Sequence, residues 1–333
     1  MNSLSSNTFP YTQEPSFEQV IHSNIFQHWQ SREEGYLLAK DKRRLYWCKM
    51  TKPEHTKAIV LVNGRIESAW KYQELFHDLF HQGYDIYSFD HRGQGMSERL
   101  ADDHEIGHVE EFDDYIVDMA QVIASFSLEH YEQRYLLAHS MGGAIATRYL
   151  QTNPNQSFDA VALSAPMFGI KMSPLLRPIA LPFAQIMSMV TALPQYAPGQ
   201  QGYYAKPFDI NPLTKSKARY HWFRNLYNTM PELKLGGPSH RWVGQGLMAA
   251  KQCIQQTRQI GIPLLLLQAG DETIVDNRAQ IRFIKKLART NKQCALKIVY
   301  GSKHELLFEQ DAYRNDALDC ILQFFGQSPQ STH

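Results

Sequence analysis

The chain has 333 residues, of which 43% are hydrophobic and 20% charged, with 34 Lys/Arg against 33 Asp/Glu. That composition supports one enlarged α/β domain or two ordinary ones, and excludes collagen-like and wholly disordered classes. Its four cysteines, Cys48, Cys253, Cys294 and Cys320, lie at no C-x-x-C or zinc spacing, so reduced, mostly buried thiols of a cytoplasmic protein are expected. No basic stretch followed by an apolar core opens the chain, so no secretory signal is expected. The longest uncharged apolar run, residues 178–196, is interrupted by Pro182 and Pro194, which argues against a membrane span. A cytoplasmic protein is expected, free in solution or peripheral on the inner membrane.

Residues 1 to about 30 are rich in Ser, Asn and Gln and predict a loose arm with one short helix near Phe17 to Trp29. Gly35–Lys40 and Arg44–Met50 pattern as a hairpin, and Ala58–Val62 as a central strand. A helix over Tyr72–His81 stops at Gly83, the next strand is Tyr84–Phe89, and Glu110–Glu129 has helical periodicity with acids in its first turn. Tyr135–Ala138 reads as a short buried strand, Ser140 follows, and Met141–Asn153 patterns as a helix ending before Pro154. Further strands are expected at Asp159–Ser164, Pro263–Gln268 and Ala295–Tyr300, and helices at Asn277–Arg289 and Asp311–Phe325. Strand and helix alternate on both sides of residues 166–255, so a mostly parallel sheet with helices on both faces is predicted, interrupted by an inserted helical cap. The domain reading is an arm over 1–30, a core over 31–165 and 256–326, a cap over 166–255 and a tail over 327–333.

Net charge is +1, but Pro166–Lys251 holds ten Lys/Arg and two acids, a net of +8 that leaves −7 for the remainder. Such segregation predicts that the insertion meets anionic partners such as a membrane surface. Its cations are interleaved with Met, Leu and Pro, so no nucleic-acid reader is expected.

The string Ala138-His139-Ser140-Met141-Gly142-Gly143-Ala144 places a serine between a strand and a helix among small residues, as a nucleophile elbow requires. An activated serine needs a base, and the base an orienting acid. His304 follows the last strand, on the sheet edge where Ser140 also stands, and is the candidate base. Asp271, Glu272 and Asp276 follow the preceding strand. Asp276 sits where a helix starts and suits capping, which leaves Asp271 and Glu272 both open as the acid. Two backbone N–H groups, of Met141 and Arg65, are expected to form an oxyanion hole, and the Arg65 side chain would place a cation beside it for a substrate phosphate. His91 is read as stabilising a loop and His139 as packing beside the elbow. His22, His28 and His55 fall in segments expected to be exposed. Histidines and acids show no metal-ligand spacing, no phosphate-cradling P-loop occurs, and Gly93-Gln94-Gly95 lacks the rest of a dinucleotide fingerprint, so no metal and no cofactor is expected.

With nucleophile, acid and base in that chain order, the sequence resembles the α/β-hydrolase fold. Within it, the chain is most similar to the monoglyceride-lipase-like serine hydrolases, and among those to the bacterial PldB-type lysophospholipases. The resemblance rests on residues 63–68, 89–95, 107–109, 112–115, 137–144, 165–169, 211–214, 236–238 with Trp242, 275–278, and 304–309. It implies hydrolysis of the acyl ester of a lysophospholipid through an acyl-serine, with acyl transfer as a related outcome. By position it implies Ser140 as nucleophile, His304 as base, and Arg65 and Met141 as oxyanion donors. Glu272 is then the acid, in place of the more usual Asp. Asn63 stands where monoglyceride lipases carry His, and Asn63, Arg65 and His139 are expected to face the substrate. The alternatives are a monoacylglycerol lipase or general carboxylesterase with the same residues, and, more remotely, a non-catalytic lipid-binding protein.

Overall fold

A computed structural model describes residues 11–173, 175, 177–191 and 193–328. Eight strands form one sheet: β1 (Glu33–Leu38), β2 (Arg44–Met50), β3 (Lys57–Val62), β4 (Tyr84–Phe89), β5 (Gln133–His139), β6 (Ala160–Ser164), β7 (Leu264–Ala269) and β8 (Cys294–Val299). Their order is β1-β2-β4-β3-β5-β6-β7-β8. The hairpin β1–β2 and the β2–β4 pair are antiparallel, and every later pair is parallel. The central strands are largely apolar because both faces are covered, and their alternate side chains divide between two cores.

The helices are α1 (Glu14–Ile21), α2 (Asn24–Gln30), α3 (Gln73–His81), α4 (Phe112–Ser125), α5 (Met141–Thr152), α6 (Arg177–Val190), α7 (Lys217–Thr229), α8 (His240–Gln255), α9 (Asn277–Leu287) and α10 (Asp311–Gln327). On one face Val60, Val62, Leu136 and Leu266 meet Met119 of α4, Ile145 of α5, Cys253 of α8 and Phe283 of α9. On the other Ile59, Leu61, Leu137 and Leu265 meet Trp29 of α2, Phe76 of α3 and Ile321 of α10. This is the parallel α/β architecture expected from the sequence. Among the described residues, no helix is long and apolar enough to cross a membrane.

Two expectations need correction. Residues 11–30 are no loose arm. Phe17, Ile21, Ile25 and Trp29, spaced four apart, are buried along two helices rather than one. Phe17 stacks edge-on to Trp222 of α7 at 6.1 Å. The segment over 166–255 contains α6, α7 and α8 as the main helices, but α8 is part of the layer on the sheet, with Ala249 and Cys253 in its core.

The insertion's charge also has another destination than an anionic surface. Arg219 of α7 is fully buried and pairs with Glu74 of α3 at 2.7 Å and Asp311 of α10 at 2.9 Å. Lys215 pairs with Asp271 at 2.8 Å, and Arg241 with Glu110 at 2.9 Å. Part of the +8 therefore answers acids of the sheet domain and fastens the insertion to it.

The parallel strands all end at one edge, and the first turn of α5 lies against β3 there. A Cβ on Gly142 would come within 2.3 Å of the Val62 carbonyl oxygen and 2.4 Å of that of Asn63. Gly142→Ala is expected to destabilise the protein by about 1–3 kcal/mol or more, since neither backbone can yield freely. Gly261→Ala, where an added methyl meets nothing within 4 Å, is the control. Thermal melts check this: a Gly142→Ala melting point equal to that of Gly261→Ala contradicts the close approach.

Candidate active site

Ser140 joins β5 to α5 with φ +50° and ψ −115°, a backbone region that a serine adopts only under constraint. Its N–H donates to the Ser164 carbonyl at the end of β6 (3.0 Å), and its own carbonyl accepts from Gly143 and Met167. The turn is tied from both sides, so the side chain projects from the edge where the strands end. Loops after β7 and β8 converge on it. His304 Nε2 lies 2.9 Å from Ser140 Oγ, and His304 Nδ1 lies 2.6 Å from Glu272 Oε2. With Nδ1–H donating to the carboxylate, Nε2 is left to accept the serine proton.

His304 and Glu272 are buried and Ser140 is half-buried, so the charges of the histidine and carboxylate act on one another strongly. Burial on its own would push His304 down. The hydrogen bond and charge of Glu272, with Glu305 and Glu67 behind it, outweigh burial and hold the imidazole above its ordinary 6.5. Burial likewise opposes ionisation of Glu272, but His304 and the N–H groups of Ile274 and Val275 hold the carboxyl below its ordinary value. Asp271 is turned the other way: its carboxylate is paired with Lys215, and its N–H donates to the Ser302 carbonyl at 2.8 Å. Of the two acids open in the sequence, the structure brings Glu272 to the histidine. Asp276 caps α9 by accepting from the Arg278 N–H at 3.0 Å.

Met141 occupies the first position of α5, where helical N–H groups have no acceptor within the helix. The loop after β3 is held rigidly beside it. The Gly64 N–H donates to the Glu67 carboxylate, and Gln94 donates to the Gly64 and Glu67 carbonyls at 2.7 and 3.0 Å. Because Gly64 is engaged in this way, Arg65 provides the next N–H of that loop. The Arg65 guanidinium lies over the Trp242 ring at 5.1 Å and donates to the Gly236 carbonyl at 3.0 Å. Burial lowers it to about 10, so it is a cation at neutral pH. No carboxylate stands within ion-pair distance of it among the described residues.

Two candidate substrate residues lie elsewhere than expected. The Asn63 amide is fully buried, donating to the Phe89 carbonyl and Asp90 and accepting from Gln94, so it pins β3 to β4 beneath the loop. His139 is 2% exposed, its Nδ1 is 3.2 Å from the Ser164 carbonyl, and its ring packs 4.9 Å from that of His304. Burial pushes it down to about 3, so it is a neutral packing residue behind the site. His91 holds the Asn63 carbonyl at 3.0 Å. Two of the three N-terminal histidines are not idle: His55 Nδ1 is 2.8 Å from Asp85, and His28 packs on α3.

Sequence reasoning missed a buried ionic chain behind the site. Lys71 lies between Glu67 at 2.5 Å and Glu305 at 2.7 Å, and Tyr72 donates to Glu67 at 2.7 Å. It braces the oxyanion-side loop against the residue after His304. Its only trace in the sequence is the four-residue spacing of Glu67 and Lys71.

The family model described as serine aminopeptidase, S33, matches residues 53–311. Lysophospholipase L2 of Escherichia coli (strain K12) is 38% identical over 329 residues, covering 95% of this chain and 94% of that protein. Probable lysophospholipase L2 of Haemophilus influenzae is 35% identical, covering 94% and 98%. Among solved structures, a soluble variant of monoglyceride lipase from Saccharomyces cerevisiae with a substrate analog superposes with a TM-score of 0.68. It is 18% identical and covers 89% of this chain and 96% of that one, which is a likeness of fold. The chain therefore belongs to the serine aminopeptidase S33 family of α/β-hydrolases.

Proposed function

We propose that this protein hydrolyses the acyl ester of lysophospholipids through an acyl-serine intermediate. The observation that carries the chemistry is the unbroken path Ser140–His304–Glu272 at 2.9 and 2.6 Å. The substrate class is supported by the two relatives named for lysophospholipase activity and by the Arg65 cation beside the proposed oxyanion site. His304 takes the Ser140 proton as Oγ attacks the acyl carbonyl. The oxyanion rests on the N–H groups of Met141 and Arg65, each such donor being worth about 10²–10³ in rate. The ester C–O bond breaks as His304 returns the proton to the leaving glycerol oxygen. Water, deprotonated by His304, then releases the fatty acid; a lipid alcohol in its place gives acyl transfer.

Above this site, α6 and α7 act as the cap. Ile179, Phe183, Ile186, Met189 and Val190 of α6 are exposed, which suits peripheral contact with a lipid surface from which substrate is drawn. Since several insertion cations are paired internally, that contact is chiefly apolar.

The acid is tested by comparing Glu272→Gln and Asp271→Asn. Glu272→Gln is expected to lower kcat by on the order of 10³–10⁴, and Asp271→Asn to leave it near wild type; the reverse order contradicts the assignment. His304 must be neutral to act as base, and its folded value is raised. The acid limb of kcat/KM is therefore expected above pH 6.5 in the wild type and lower in residual Glu272→Gln activity. A wild-type limb below 6.5 would count against the Glu272 contact.

Substrate class is tested on lysophosphatidyl and monoacylglycerol esters of equal chain length. Lysophosphatidyl turnover is expected to be faster, with Arg65→Met erasing the difference; a wild-type preference for monoacylglycerol selects the lipase alternative. On vesicle-borne lysophospholipid, Phe183→Glu should slow turnover while sparing a water-soluble short-chain ester. Equal rates on both would remove the surface contact.

A further inference from the structure

Away from this site, α2 and α3 bring three imidazoles together. His77 and His81 are one helical turn apart on α3 and share a face. His28 reaches them from α2, its ring centroid 5.1 Å from that of His77 and 5.3 Å from that of His81. One ring nitrogen from each of the three lies within 4.8 Å of the other two. His28 Nδ1 and His77 Nδ1 stand 3.2 Å apart. Two nitrogens bound tetrahedrally to zinc at 2.0–2.1 Å are separated by about 3.3 Å, so this pair already has the spacing of zinc ligands. His81 Nδ1 donates to the His77 carbonyl at 2.7 Å. That bond fixes the tautomer with the lone pair on Nε2 and orients the ring, as a backbone carbonyl does behind a metal-bound histidine.

We propose that His28, His77 and His81 form a three-histidine site for a divalent transition-metal ion of the zinc class, with water completing the coordination. Burial, then His77 and His81, push His28 down to about 4, so it offers an uncharged ligand at neutral pH. His77 is lowered too, by burial first and His81 second. Half-exposed His28 and His77 and exposed His81 leave the ion a path from solvent. The other close group of ligand-type residues, Glu67, His139 and Glu305, already encloses the Lys71 ammonium and has no place for a second cation. The cluster is hard to see in the sequence, because His28 is 49 residues from His77 and only the His77/His81 spacing is regular. A bound ion would staple α2 to α3, and with it the N-terminal helices that pack on α7.

Zinc chloride is titrated by calorimetry into the full, tag-free chain after EDTA treatment. One ion per chain is expected, and cobalt(II) should give the intense visible bands of a tetrahedral nitrogen site. His28→Ala, His77→Ala and His81→Ala should each weaken zinc binding by more than about tenfold, since losing even an outer partner costs 10–100-fold. The double variant His77→Ala/His81→Ala should abolish it, and His104→Ala, at an exposed position between β4 and α4 outside the cluster, should leave it unchanged. Zinc should raise the melting point of the wild type and not of the double variant. Circular dichroism in EDTA establishes that each variant is folded. Absence of stoichiometric zinc binding and of cobalt bands in the wild type overturns the proposal. So does zinc binding that survives in the double variant.

Discussion

The close approach of the α5 backbone to the end of β3 is the constraint on which the rest depends. With no Cβ on Gly142, the helix can begin directly beneath the strand edge, and the chain must reverse at Ser140 within one residue. The positive φ at Ser140 is the cost of that reversal, maintained by hydrogen bonds to Ser164 and Met167 on the neighbouring strand end. A hydroxyl raised in this way above a parallel sheet meets whatever the loops after β7 and β8 deliver, and they deliver Glu272 and His304.

The support behind this geometry is ionic as much as apolar. Lys71 between Glu67 and Glu305 ties the loop after β3 to the residue next to His304. A buried cation flanked by two carboxylates resists removal of any one member, because an unpaired buried charge costs several kcal/mol. Arg219 repeats the device farther out, linking α7 to α3 and α10. The surplus positive charge of the insertion thus serves in part to fasten it to the sheet domain.

Much of this was legible in the sequence, for identifiable reasons. Runs such as Leu264–Leu267 must be buried on both faces, so the parallel sheet and its edge followed directly. Ser140 and His304 stood out because small residues around one and a strand before the other leave few alternatives. What failed to show were features decided by side-chain direction. Asp271 and Glu272 are adjacent, and only the path of their loop turns one toward Lys215 and the other toward His304. Arg219 in sequence is one more cation of a basic stretch, yet it is among the largest fully buried side chains. The polar composition of residues 11–30 masked the four-residue spacing of Phe17, Ile21, Ile25 and Trp29. Asn63 and His139 adjoin the site in sequence but are held by backbone carbonyls beneath it.

The central claim is that Ser140 carries the acyl group during turnover. Rapid quenching of the enzyme with lysophospholipid bearing an isotopically labelled acyl chain, followed by digestion and mass spectrometry, tests this directly. The account predicts labelled acyl on the peptide containing Ser140, formed in a burst before steady state and absent from Ser140→Ala. Label on another residue, or steady turnover by Ser140→Ala at the wild-type rate, would contradict it.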